Sequence, residues 1–176
     1  MSASELRIAP QSRTLVQLFA RKGRAGDLAM ALLASHGLTL PAPGYAATGG
    51  EVTALWIQPE CWLLSAPRGV EGALAGVVKA SCGDAGSVID QTHGRLVLRL
   101  SGPGAPRALG RLCRIDLHPR AFGPGRVAAT PVAELHCILH QVDDAPSYDV
   151  FAPATFAGSF REMLAHATTE FAHSPA

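Results

Sequence analysis

The sequence predicts an α+β protein made of two small subdomains. Three observations support this class: a length of 176 residues, short apolar segments typical of strands, and helical segments that end at glycine. The first six predicted elements follow the order strand, helix, strand, strand, helix, strand, which is typical of the ferredoxin-like arrangement. We therefore expect a ferredoxin-like (βαββαβ) subdomain over 13–92 and a second α+β subdomain over 93–167. Residues 1–12 and 168–176 are expected to form an N-terminal tail and a flexible C-terminal tail.

The first subdomain begins with a predicted strand at Thr14–Ala20, which is apolar and partly β-branched. A helix is predicted over Arg24–His36, ending at Gly37 in a left-handed cap. Three of its residues are expected on the inward side: Leu28, Leu32 and Leu33. The segment Thr39–Gly50 is rich in glycine and proline and predicts a loop.

Two strands, a helix and a short strand complete this subdomain: Val52–Ile57, Cys61–Ser65, Val70–Ser81 and Ser87–Asp90. The helix is predicted from apolar residues at helical spacing, namely Val70, Leu74, Val77 and Val78. Gly83 follows the helix and ends it.

The second subdomain begins with Arg95–Leu100, where polar and apolar residues alternate as in a half-buried strand. A helix over Ala105–Cys113 and a loop over Asp116–Gly125 come next. Three strands and a closing helix are then predicted: Val127–Val132, Leu135–Val142, Tyr148–Phe151 and Phe156–His166. The closing helix is expected to turn four residues inward: Phe156, Phe160, Met163 and Leu164.

Charge is sparse along the chain. Charged residues make up 16% of it and the formal net charge is +1, whereas about 25% charged residues is typical of a soluble domain. With 48% hydrophobic residues the composition excludes a disordered protein, and the small net charge argues against binding of nucleic acid through phosphates. A surface with so few charges favours contact with a partner, although a GC-rich genome would produce the same composition.

The cysteines predict a reduced, cytoplasmic protein. The four are widely spaced and form no Cys-x-x-Cys pair, so neither a zinc knuckle nor a thioredoxin-like site is indicated. No apolar segment resembles a signal peptide or approaches the roughly 20 residues that span a bilayer. We expect neither a metal site nor a membrane contact.

A candidate acid–base site lies at the end of the strand that precedes residue 91. Asp90 and His93 are separated by a short polar turn, where a carboxylate and an imidazole can transfer protons. The alternative is that Asp90 and Thr92 bond to turn amides and that His93 is only a polar surface residue.

Two further clusters carry reactive side chains. His136 and His140 would lie about 13 Å apart in a strand, too far to bind one metal ion. Cys113 and His118 suggest a nucleophile with its base. The preferred interpretation of the second cluster is a structured loop, and no catalytic residue is assigned.

Six segments carry a resemblance to a known family: Val88–Arg95, Leu98–Pro103, Leu112–Phe122, Asp143–Pro146, Tyr148–Phe151 and Phe156–Phe160. Through them the sequence resembles, over most of Ile89–Leu164, the gamma-subunit family of heterotetrameric sarcosine oxidase. The block Leu117-His-Pro-Arg-Ala-Phe122 is its most specific part. The start at Asp90 is shared with the wider family of folate-dependent aminomethyltransferases, which implies that the second subdomain is similar to their N-terminal module. This wider resemblance also implies a folate-type site at Asp90 and His93.

The resemblance implies a non-catalytic subunit that holds no cofactor of its own. FAD, FMN, NAD, zinc and tetrahydrofolate are then expected in the other chains, and the partners are the alpha, beta and delta subunits. Because aromatic residues and arginine dominate interface energetics, the candidate contacts are Trp56, Trp62, Arg120 and Phe122. Core packing is the alternative for both tryptophans. Two other hypotheses stay open: a subunit of a related N-methyl amino acid oxidase or dehydrogenase, and a free-standing folate-binding one-carbon protein that acts through Asp90.

Overall fold

The computed structural model describes residues 6–169. These residues divide into two compact units, Ser12–His93 and a unit that joins residues up to Gln11 with those from Gly94 onward. Each unit contains a five-stranded antiparallel sheet and two α-helices. The predicted α+β class is therefore confirmed. Residues 1–5 and 170–176 of the two predicted tails lie outside the described residues.

Ten strands and four α-helices form the described part of the chain. In chain order they are β1 (Arg7–Pro10), β2 (Arg13–Ala20), α1 (Ala25–His36), β3 (Ala46–Gly49), β4 (Val52–Gln58), β5 (Cys61–Pro67), α2 (Ala73–Cys82), β6 (Gly86–Asp90), β7 (Arg95–Ser101), α3 (Ala105–Gly110), β8 (Val127–Val132), β9 (Leu135–Asp143), β10 (Ser147–Pro153) and α4 (Ala157–Thr168). A 3-10 turn at Ala154–Phe156 leads into α4. No helix among these is long and apolar enough to cross a membrane.

The sheet of the Ser12–His93 unit has the strand order β3-β4-β5-β2-β6. Both helices pack on it: Leu28 and Leu32 of α1 and Val78 of α2 join Leu18 and Leu64 in one apolar cluster. The predicted cap of α1 is confirmed. Gly37 adopts φ 59°, a conformation that glycine adopts without steric cost, and its amide donates to the Leu33 carbonyl while the Leu38 amide donates to the Leu32 carbonyl.

Two predictions for this unit are wrong. The predicted loop Thr39–Gly50 contains β3, whose short Ala-Ala-Thr-Gly sequence has little intrinsic strand preference and is held by pairing with β4. The inward side of the helices is also partly misplaced, because both helices carry apolar or small residues all round. Leu33, expected on the inward side, is 54% exposed. Val77, one of the residues whose spacing predicted the second helix, is 53% exposed, and Val70, the predicted start of that helix, precedes α2 and is 79% exposed.

The second unit has the strand order β1-β7-β10-β9-β8. Phe160 and Leu164 of α4 and Leu109 of α3 pack in its core with Tyr148 and Val150 of β10. The largest difference from the prediction in this unit is the strand β1, because residues 7–10 were predicted to belong to the N-terminal tail. Arg7 pairs with Ser101 and Pro10 with Leu98, so this segment is an edge strand of the sheet.

The helices of this unit differ from the prediction at their ends. Helix α3 stops at Gly110 rather than Cys113. Phe156, predicted to face inward, lies in the 3-10 turn and is half exposed. Thr168, placed in the flexible tail by the sequence, ends α4, where its hydroxyl donates to the Leu164 carbonyl over 2.8 Å.

Candidate functional site

The turn after β6 brings the predicted acid–base residues close together but engages each in a local contact. The Thr92 amide donates to Asp90 Oδ1 over 2.8 Å, which closes a turn around Gln91. The buried Thr92 hydroxyl lies 3.1 Å from the Leu15 amide and 3.3 Å from the Leu15 carbonyl oxygen. Through these bonds the turn continues the pairing of β6 with β2.

His93 lies on the surface of the same turn. Its Nε2 donates to Glu71 Oε1 over 2.9 Å and lies 3.5 Å from Arg68 Nη2. Both the histidine and the glutamate side chain are mostly exposed, so solvent weakens this pair. The structure thus gives His93 a surface contact with Glu71.

The hydrogen bonds and charges of the turn favour the ionised form of the Asp90 carboxyl group. The Thr92 hydroxyl and amide lower the pKa of Asp90, and His93 and Arg68 add smaller effects in the same direction. A carboxyl group with a lowered pKa is a weak general base and is not protonated at neutral pH. Asp90 is therefore suited to holding the turn and poorly suited to proton transfer.

Cys113 and His118 do not form an activated nucleophile. Cys113 is buried, and burial raises the pKa of its thiol. His118 uses Nδ1 to accept a bond from the Arg120 amide over 3.2 Å, while Asp116 Oδ1 accepts one from the His118 amide over 2.9 Å. The predicted structured loop is confirmed in this respect.

The sequence raised two histidines of β9, His136 and His140, as possible ligands of one metal ion. The strand predicted over Leu135–Val142 is confirmed as β9, which extends to Asp143 and places His136 and His140 four residues apart along an extended backbone. Among residues 6–169, no three His, Cys, Asp or Glu side chains are grouped as metal ligands.

The four predicted interface residues fall into two classes. Trp62 and Phe122 belong to the cores of their units and are only 7% and 3% exposed, which leaves little of either side chain for a partner. Trp56 is half-buried against the core of its unit, and Arg120 is exposed. Of the four, only Trp56 and Arg120 offer substantial surface.

One segment of the chain is rich in arginine. Residues 95–126 contain seven of them and a single acidic residue, Asp116. Three of the arginines lie exposed on α3 and the segment that follows it: Arg107, Arg111 and Arg114. A charge count over 30-residue windows would have revealed this segment.

Comparison with known proteins decides the family. Residues 22–170 match the family described as "Sarcosine oxidase, gamma subunit family". The chain belongs to this gamma-subunit family. The sarcosine oxidase subunit gamma of an Arthrobacter species is 37% identical over 159 residues, which is 90% of this chain and 77% of the relative. That of Corynebacterium sp. strain P-1 is 35% identical over 92% of this chain and 79% of the relative.

Solved structures agree with this membership in the gamma-subunit family. A chain of heterotetrameric sarcosine oxidase from Corynebacterium sp. U-96 has a TM-score of 0.87 and 29% identity, with 100% of this chain and 90% of that chain covered. Aminomethyltransferase T of the glycine cleavage system from Bartonella henselae has a TM-score of 0.67 at 15% identity. It shares the fold over 92% of this chain and 46% of its own length.

Proposed function

We propose that this chain is a non-catalytic subunit of a heterotetrameric sarcosine oxidase. The assembled complex demethylates sarcosine oxidatively to glycine, yields formaldehyde or methylenetetrahydrofolate, and releases hydrogen peroxide. The observation that carries the proposal is the 37% identity to a sarcosine oxidase subunit gamma over 90% of this chain.

The candidate reactive groups support a non-catalytic role. Asp90 is held ionised by its turn, and burial keeps the Cys113 thiol protonated. Neither group has the pKa near neutrality that proton transfer or thiolate attack favours. Substrate chemistry therefore belongs to other chains of the complex.

The partners we propose are the alpha, beta and delta subunits. FAD, FMN, NAD, zinc and tetrahydrofolate are assigned to those subunits. Trp56 and Arg120 are the proposed contacts, because large aromatic and guanidinium side chains contribute most to interface energetics. The four cysteines are buried and none forms a disulfide, which fits a reducing compartment, and we propose the cytoplasm.

A finer fold assignment accompanies this proposal. The order β4-β5-β2-β6 with two helices on the sheet supports a ferredoxin-like subdomain, to which β3 adds an edge strand. The fold shared with aminomethyltransferase T supports a second subdomain similar to the N-terminal module of that family. The boundary near residues 92–93 is proposed as a domain boundary.

Co-expression tests the function. The tagged chain, produced together with the other three subunits of its complex, should purify as a flavin-coloured assembly that oxidises sarcosine. The chain purified alone should be colourless and inactive with sarcosine. Turnover of sarcosine by the isolated chain, or a colourless single chain after co-expression, would contradict the proposal.

A further inference from the structure

The outer edge of β6 presents backbone groups that no other strand within residues 6–169 pairs with. β6 is the last strand in the order β3-β4-β5-β2-β6, so only one of its two edges is bonded, to β2. Three of its five residues are exposed, namely Ser87, Ile89 and Asp90. The unpaired amides and carbonyls of an edge strand form a template on which a further strand can bind.

The pairing of β6 with β2 determines which residues point their backbone groups to the outer edge. The Gln91 amide donates to the Leu15 carbonyl over 2.8 Å, so these two residues form a hydrogen-bonded pair. Such pairs recur at every second residue of an antiparallel ladder, and the odd-numbered residues of β6 therefore bond to β2. The even-numbered residues, Gly86, Val88 and Asp90, turn their amides and carbonyls to the outer edge.

β6 lacks the proline that protects two of the other three edge strands in the described residues. β1 and β8 are the edges of the second sheet, and they contain Pro10 and Pro131. Proline has no amide proton and so interrupts pairing with an added strand. The third strand, β3, has only four residues and ends at Gly49. β6 is therefore the edge best suited to pair with another strand.

The outward-facing residues of β6 are symmetric about Val88, because Gly86 and Asp90 lie two positions away on either side. A second copy of the strand, rotated about a two-fold axis at Val88, places Val88 opposite its own counterpart and Gly86 opposite Asp90. Each of these pairs turns amides and carbonyls toward the other copy, which gives about six hydrogen bonds. β6 is thus complementary to itself, as the surface of an isologous dimer must be.

Charge complementarity favours the same register. Lys79 of α2 lies beside the outer edge of β6, where its Nζ donates to the Gly83 carbonyl over 2.6 Å and to the Gly86 carbonyl over 3.2 Å. Asp90 of the second copy faces Gly86 in this register and so comes close to Lys79. Both side chains keep their present bonds, because Lys79 donates to carbonyls and Asp90 accepts the Thr92 amide through one carboxylate oxygen. The two-fold axis repeats this contact at the other end of the strand.

We infer that two copies of this chain pair through β6, antiparallel across a two-fold axis at Val88. The pairing joins two five-stranded sheets edge to edge. Ile89, which is 48% exposed, becomes a diagonal neighbour of its counterpart on one face of the joined sheet and adds apolar contact. Two edge strands bury little area, so the dimer is weak and its population depends on concentration. The inference concerns the chain itself and does not depend on the proposed function.

The test measures the mass of the purified full chain by analytical ultracentrifugation at increasing concentrations. Val88→Pro removes the central amide donor of the outer edge. K79D and D90K each place like charges next to one another across the axis, and K79D/D90K exchanges the two charges and restores attraction. Lys22→Asp is the matched control, because Lys22 is the other lysine of the chain and is exposed. Circular dichroism spectra and melting curves establish that each variant folds.

We expect the mass of the wild type to rise from 18.3 kDa towards twice that value as concentration increases. K79D and D90K should each weaken the dimer about tenfold or more, and K79D/D90K should return to within about threefold of the wild type. Lys22→Asp should dimerise like the wild type. Val88→Pro should stay monomeric, and if that variant does not fold, the charge exchange decides.

Three outcomes overturn the inference. The first is a wild type that remains at 18.3 kDa at every concentration. The second is a dimer that folded Val88→Pro leaves intact, because the contact then lies elsewhere. The third is a dimer that K79D and D90K weaken but K79D/D90K does not restore, because the two charges are then not neighbours. A monomeric wild type whose Val88→Pro variant no longer co-purifies with the other subunits would assign the edge to a strand of a partner and refute self-pairing, while the proposed function stands.

Discussion

Arg99 and Asp149 lie directly opposite each other on β7 and β10 and form a bidentate ion pair. Arg99 Nε and Nη2 donate to the two carboxylate oxygens of Asp149, each over 2.7 Å. Asp149 is 4% exposed, so its charge depends on this partner for compensation. Burial of the pair is unequal, because the arginine keeps more contact with solvent.

Asp149→Ala should destabilise the protein by about 3 kcal/mol, the low end of the range for a broken buried pair, because the Arg99 side chain keeps some contact with solvent. Urea unfolding followed by circular dichroism measures the change. Asp144→Ala is the matched control, since Asp144 is an exposed acid just before the same strand, and it should change stability by less than about 0.5 kcal/mol. Equal effects of the two substitutions would show that the pair contributes little.

The lowered pKa of Asp90 predicts a pH-dependent contribution to stability. Since the folded-state pKa lies below the unfolded value of about 3.9, the contribution is complete well above pH 4 and is lost as pH falls through the folded-state value. Asp90→Ala should cost less than about 1 kcal/mol at pH 7, because the residue is exposed. Melting temperatures of the two proteins between pH 7 and pH 3 should converge on acidification. A constant difference across that range would contradict this.

Asp90→Ala should also leave the turnover of sarcosine by the assembled complex within about twofold of wild type. The physical reason is that the carboxylate is engaged by Thr92 and does not transfer protons. Steady-state kinetics of the complex, with matched assembly, provides the measurement. A loss of a hundredfold would instead assign a catalytic role to Asp90.

The thiols should resist alkylation in the folded protein. Burial raises the pKa of Cys137 to about 11, so about 0.1% of it is thiolate at pH 8. Cys61, Cys82 and Cys113 are buried as well. Iodoacetamide at pH 8 should therefore modify fewer than one thiol per folded chain and all four after denaturation in guanidinium chloride. Mass spectrometry counts the modified sites, and rapid native modification of Cys137 would refute the prediction.

Gly49 should tolerate no side chain. A Cβ at this position would lie 2.5 Å from the Gly37 carbonyl oxygen and 2.8 Å from Leu38 Cα, both backbone atoms. Gly49→Ala should cost about 2–3 kcal/mol, as overpacking does. Gly26→Ala is the control, because nothing lies within 4 Å of its Cβ in α1, and it should be neutral or stabilising in urea unfolding. Similar midpoints for the two variants would disprove the close approach.

Sequence patterns predicted the long helices and strands well, because the residues that specify each of these elements lie within the element or next to it. Val127–Val132 was predicted to the residue, and Gly37 was identified as the cap of α1. The two missed strands, β1 and β3, have four residues each and exist only through pairing with strands that were predicted. The pattern of residues within a four-residue segment does not indicate which strand that segment will pair with.

The candidate site was predictable only where its contacts join residues that are close together in the sequence. Asp90 and Thr92 are two positions apart, and the structure contains the predicted hydrogen bond from a turn amide to the Asp90 carboxylate. The exposure of an aromatic residue depends on which neighbours pack over it. The sequence left Trp62 open between partner contact and core packing and predicted Phe122 as a contact, and the structure places both side chains in the cores of their units. Arg99 and Asp149 are 50 residues apart, a separation at which no sequence pattern reveals a pair.

The pairing of β1 with β7 affects the order in which the two units can fold during translation. All strands of the Ser12–His93 unit leave the ribosome as one continuous stretch, so that unit can fold while synthesis continues. β1 precedes that unit in the chain, yet its neighbour β7 is translated only after the unit is complete. Among the described strands, β1 is thus separated from its pairing partner by an entire unit.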